Sequence, residues 1–96
     1  MARSTHHQNY RTLLSILREI RIAAGVSQAV LAARLGNTQT FVSKFERGER
    51  RLDVVEFVEI CEALGNDATS AFLQYMERKS KATRKIGKQV RRTRTG

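Results

Sequence analysis

Cysteine occurs once in this chain, at Cys61, so no internal disulfide can form; a disulfide-stapled secreted scaffold is excluded and a reducing compartment is indicated. Proline is absent, and 41% apolar content over 96 residues suffices for one compact helical core but not for two. No apolar run approaches the roughly 18 residues of a membrane span, and MARSTHHQNY lacks the charged-then-apolar order of a signal peptide. The expectation is a soluble cytoplasmic protein without a membrane partner. Alternating apolar and polar runs are missing, as are internal repeats, so nothing argues for strands. Also missing are a glycine-rich phosphate loop, a nucleophile elbow, paired histidines on one helix and a carboxylate pair in an apolar setting. Catalysis is not expected, and no cofactor is implied.

Acidic residues are absent from the strongly basic C-terminal block. After Glu77 the chain carries Arg78, Lys79, Lys81, Arg84, Lys85, Lys88, Arg91, Arg92 and Arg94 with no Asp or Glu among them. Nine of the 18 cations lie there, and the other nine balance the nine acids of residues 1–77, so the whole net charge of +9 sits in the C-terminal block. Three segments follow: a flexible N-terminal arm over 1–9, a folded domain over 10–77 and a basic, flexible tail over 78–96.

Helical periodicity runs through the middle. Leu13, Leu14, Leu17, Ile20 and Ala24 recur at spacings of three and four, which predicts a helix from about Tyr10 to Ala24 that Gly25 ends. Ser27 is a suitable N-cap for a second helix over 28–35, and Asn37 or Thr38 for a third over about 39–46 that stops near Gly48. Asp53 caps a fourth, with Val54, Val58, Cys61 and Leu64 inward and Glu56, Glu59 and Glu62 as an acidic stripe, closed by Gly65. A fifth starts at Asp67 or Thr69, with Phe72, Leu73 and Met76 as its apolar contacts. The fold class is all α, five helices.

Residues 26–48, VSQAVLAARLGNTQTFVSKFERG, form the most informative segment. Leu31, Ala32 and Leu35 share one face of the second helix, Gly36 supplies the left-handed turn, and Val42 and Phe45 share one face of the third. That is a helix-turn-helix. A helix of two to three turns fits the major groove, and Gln39, Thr40, Ser43 and Lys44 point away from its apolar face. Gln39 suits a bidentate pair with adenine, Lys44 a guanine acceptor, and Thr40 a thymine methyl or a polar base edge; each good pair discriminates by about 1 to 3 kcal/mol. Gln28, at the first turn of the second helix, is placed for a phosphate, as are Asn37, Thr38, Arg47, Arg50 and Arg51 around the same surface.

Taken together, Gly25, Ser27, Gln28, Leu31, Ala32, Leu35, Gly36, Gln39, Val42, Ser43, Glu46, Gly48 and the Ala63-Leu64-Gly65 close resemble the Cro/repressor (XRE) family of helix-turn-helix regulators, over residues 10 to about 66. The resemblance implies a lambda-repressor-like five-helix domain whose third helix reads DNA, usually as a homodimer on a palindromic operator, with repression commoner than activation. It also implies an ion pair of Arg21 with Glu46. Val30 and Phe41 depart from the family pattern, as partner contacts or satellite core.

Two other functions remain open at this level: an antitoxin that autoregulates its operon and binds a toxin protein, and a nucleic-acid binder of low specificity dominated by the tail. His6 and His7 lack further ligands at metal spacing, so no metal site is expected. Cys61, on the inner face of the fourth helix, reads as a small buried hydrophobe with an inert thiol. Phe72, Tyr75 and Met76 either close the core or form a dimer seam.

Overall fold

The computed structural model of the chain describes the backbone of residues 2–87 and the side chains of residues 8–81. Five helices follow one another: α1 (Ala2–Ala23), α2 (Gln28–Leu35), α3 (Gln39–Glu46), α4 (Val54–Ala63) and α5 (Ala68–Gly87). No strand occurs among the described residues.

Local chemistry sets the three inner helices. Ser27 caps α2 by accepting from the Val30 N–H at 3.1 Å, and Thr38 caps α3 by accepting from the Phe41 N–H at 3.1 Å. At the turn between them, Gly36 has φ 65°; its N–H donates to the Ala33 carbonyl at 3.1 Å and that of Asn37 to the Ala32 carbonyl at 2.9 Å. This paired arrangement uses up carbonyls that the end of α2 would otherwise leave bare. Asp53 and Glu56 form a reciprocal capping box at the start of α4.

The core is built from Leu14 and Leu17 of α1, Leu31 and Ala32 of α2, Val42 and Phe45 of α3, Phe57, Ile60 and Cys61 of α4, and Ala71 of α5. α2 packs on α3 and α4, while α5 lies against α1 and α4. Three buried positions escaped the periodicity reading of α1 and α4: Ile16, Phe57 and Ile60. Conversely Val54, expected inward, is 76% exposed, because it is the first residue of α4 and precedes the turn that meets the core.

Both outer helices overrun their expected limits. Residues 2–9, read as an unstructured arm, continue α1, and α5 runs ten residues beyond Glu77 to Gly87. No proline or glycine interrupts either stretch, and once a helix is nucleated each added residue brings its own hydrogen bond at little further cost. Arg78 pairs with Glu19 of α1 at 3.1 Å, so the first cation of the basic block is fastened to the domain. The side chains of His6, His7, Arg84 and Lys85, and all of Lys88, Arg91, Arg92 and Arg94, lie outside the described residues.

Candidate nucleic-acid interface

An ion-paired knot holds α3 in place. Arg21 donates from Nε to Glu46 Oε2 at 2.7 Å and from Nη2 to Glu46 Oε1 at 3.1 Å, while Nη1 reaches the Val26 carbonyl at 2.8 Å. The two side chains are only 10% and 5% exposed, so the charges are withdrawn from water and satisfied by each other and by further hydrogen bonds. Gln28 joins the knot, its amide nitrogen donating to Glu46 Oε1 at 2.9 Å. The last residue of α3 is thereby tied to α1, to the loop before α2 and to the first turn of α2.

With Val42 and Phe45 fully buried, the opposite face of α3 is fixed outward. Gln39, Thr40 and Lys44 are exposed, and among the described residues none of the three side chains has a hydrogen-bond or ion-pair partner. Ser43 is half-buried and its hydroxyl oxygen accepts from Arg47 Nη1. Phe41, one of the two departures from the family pattern, packs partly buried against the core and meets Phe45 edge-to-face at 5.5 Å. Val30, the other, is exposed.

The residues expected around the helix fall into distinct settings. Asn37 Oδ1 accepts from the Thr38 N–H at 2.8 Å, and Thr38 is the α3 cap, so both shape the turn while remaining exposed. Gln28 is turned toward Glu46, with one amide hydrogen committed there. Arg47 grips Glu49 with two hydrogen bonds of 3.1 Å, and Arg50 grips Glu56 with bonds of 3.1 and 2.7 Å. These carboxylates raise the pKa of both arginines; reciprocally, the arginines hold Glu49 and Glu56 below the ordinary carboxylate value. Arg50 also lies over the Phe41 ring, 5.0 Å from its centroid, and Arg51 over the Tyr10 ring at 4.5 Å. Glu49 and Tyr10 were not singled out by sequence reasoning. The spacing of Arg47 and Glu49 gave a local hint of the first; nothing in a linear reading links Tyr10 to a loop forty residues away.

Elsewhere Cys61 is fully buried, and burial pushes its thiol up to about 11. It is a protonated core side chain at neutral pH. No group of three or more His, Cys, Asp or Glu fit to hold a metal occurs among the described residues, and no described helix is long and apolar enough to cross a membrane.

Residues 17–69, more than half of the chain, match the helix-turn-helix family. Among solved structures, an XRE-family like protein from Pseudomonas syringae pv. tomato str. DC3000 is similar at 44% identity and a TM-score of 0.76, covering 80% of this chain and 94% of that one. The clp gene regulator ClgR from Corynebacterium glutamicum, at 21% identity and a TM-score of 0.70 over 80% of this chain and 82% of that one, shares the fold. No curated protein matches the chain. On the helix-turn-helix geometry and these likenesses, the chain belongs to the XRE family of helix-turn-helix proteins, a class of DNA-binding transcriptional regulators.

Proposed function

We propose that the protein is a repressor that occupies a near-palindromic operator as a homodimer, with α3 in the major groove. The observation that carries this reading is the rigid presentation of Gln39, Thr40 and Lys44: three exposed polar side chains, without a hydrogen-bond or ion-pair partner among the described residues, on a helix whose other face is locked into the core. Gln39 pairs with an adenine edge, Lys44 with a guanine acceptor and Thr40 with a thymine methyl or a polar edge, while Ser43, half-turned inward, reaches only a base that approaches closely. Gln28, through its second amide hydrogen, and the exposed Asn37 and Thr38 hold the phosphates that set the docking angle, together with loop cations among Arg47, Arg50 and Arg51. Cations beyond Gly87 add affinity of low specificity.

A second copy docks on the face formed by α1, α4 and α5. Leu13, Leu52, Val54, Phe57, Phe72 and Leu73 line an apolar cleft of about 460 Å³, to which α3 contributes no residue. Its rim carries Phe72 at 47% and Leu73 at 62% exposure, with Met76 one turn further along α5. Protruding side chains beside a cleft supply both halves of the self-complementary contact that a two-fold interface requires. Val54 at the edge of the cleft, 76% exposed, adds to the apolar surface available for such a contact.

The experiment is selection of bound duplexes from a random pool. A recovered motif with two inverted half-sites about one helical turn apart is the expected outcome. Recovery of unrelated sequences would overturn the reading.

A further inference from the structure

The three arginines that follow α3 differ in one respect: whether the fork of N–H groups is already occupied. Arg47 is closed on Glu49 and on the Ser43 hydroxyl, and Arg50 on both oxygens of Glu56. A phosphate reaching either must displace a bidentate carboxylate that binds in the same plane with the same geometry. Among the described residues the Arg51 side chain makes no hydrogen bond or ion pair, and the Tyr10 ring lies beneath its guanidinium.

That contact is one of three made by the same residue. The Tyr10 hydroxyl donates to the Arg50 carbonyl at 3.0 Å and accepts from the Leu52 N–H at 3.0 Å. These two backbone groups flank residue 51. One tyrosine of α1 therefore holds the chain on either side of Arg51 and also supports its side chain from below. The ring meets the guanidinium without a hydrogen bond, and among the described residues no acceptor occupies the N–H groups that match a phosphate.

From this we infer that Arg51 is the phosphate-holding cation of the loop after the recognition helix and that Tyr10 is its positioning residue, whereas Arg47 and Arg50 serve to shape the loop. The inference rests on the DNA-binding reading and divides a set of three apparently equivalent cations into one ligand and two struts. It also gives α1 a part in DNA binding that does not require α1 to touch DNA: Tyr10 fixes, in advance of binding, an arginine that would otherwise have to be ordered on the phosphate.

The test measures binding of the full chain to its selected duplex and to a random duplex as salt is varied, for Arg51→Gln, Arg50→Gln, Tyr10→Leu, Tyr10→Phe and the double variant Arg51→Gln/Tyr10→Leu. Arg51→Gln is expected to lower the slope of log affinity against log salt by about 0.9, equivalent to a sensitivity roughly 3.5-fold smaller between 50 and 200 mM, and to weaken both duplexes equally. Arg50→Gln changes the slope less. Tyr10→Leu weakens binding, Tyr10→Phe, which keeps the ring, recovers part of the loss, and the double variant binds no worse than Arg51→Gln alone. A purely structural Tyr10 would give additive losses and no change of slope, and that result overturns its positioning role. An unchanged slope in Arg51→Gln with a wild type that still prefers its selected duplex overturns the inference alone; a wild type that binds no duplex overturns the DNA reading with it.

Discussion

At the scale of single residues the interface divides into side chains that are held and side chains that are free. Glu46 is the most constrained, accepting from Arg21 and Gln28 while nearly removed from water. Truncating it leaves the Arg21 guanidinium buried without its counter-charge, a change that costs about 3 to 5 kcal/mol when a buried pair is broken. Glu46→Ala is therefore expected to lower the unfolding free energy by about that amount in urea titration; a loss typical of a surface pair, under about 1 kcal/mol, would contradict the tie. Gln39 and Lys44 are at the opposite extreme. Gln39→Ala and Lys44→Ala are expected to leave stability unchanged and to weaken binding to the selected duplex by about 1 to 3 kcal/mol, with little effect on random DNA. Equal losses on both duplexes would mean that these side chains meet phosphates and not bases. The Arg21–Glu46 contact entered the sequence reading only through family resemblance, since residues 25 positions apart have no periodicity to connect them. The free face of α3 was legible directly, because a three-residue spacing of Val42 and Phe45 forces the remaining positions outward.

The elements owe their limits to a few backbone decisions. Gly36 adopts φ 65°, and a Cβ placed there would meet nothing within 4 Å. Any penalty for Gly36→Ala is thus conformational, about 1 to 2 kcal/mol for placing an L-residue in the left-handed region. Thermal unfolding should show a loss of that size; Gly36→Asn, which tolerates the conformation better, should lose less, and an equal loss in the two variants would point to some other cause. The start of α4 is pH-sensitive by construction, because Arg50 and then the Asp53 backbone hold the Glu56 carboxyl below its ordinary 4.5. A carboxylate with a depressed folded-state value stabilises fully above the unfolded-state value and loses that contribution as pH falls through the folded one. The urea midpoint is accordingly expected to drop below about pH 4.5, and Glu56→Gln to show a shallower drop; identical acid profiles would remove Glu56 from the account. Caps and glycines made the ends of α2, α3 and α4 readable from sequence. For α1 and α5 no such stop exists between the expected limit and the observed one, so periodicity located their cores but not their far ends.

For the whole molecule, the question is which face does what. α3 looks out from one side, and the apolar cleft between α4, α5 and α1 opens where α3 contributes nothing. If that cleft is the dimer seam, Leu73→Glu, which adds a charge at an already exposed site, should convert the dimer to monomer in sedimentation velocity while leaving the helical spectrum unchanged. A dimer that survives the substitution would place the seam elsewhere. Sequence reading left Phe72, Tyr75 and Met76 divided between closing the core and meeting a partner. The structure gives a mixed answer: Phe72 meets Phe57 at 6.4 Å and Tyr75 at 5.7 Å, yet it and Met76 remain nearly half exposed.

Local rules were sufficient for what depends on neighbours in sequence: helical class, the glycine turn, the caps and the outward face of α3 all follow from spacings of three or four residues and from backbone preferences. Tertiary structure decided which charges are available. Apart from the nearby Glu49 beside Arg47, the three arginines Arg47, Arg50 and Arg51 are alike in the sequence; folding closes the second on Glu56 and brings Tyr10 of α1 beneath the third. The reason is physical: a charge is free or spent according to what stands within a few ångströms of it, and residues as far apart as 10 and 51 acquire such neighbours only when the chain packs.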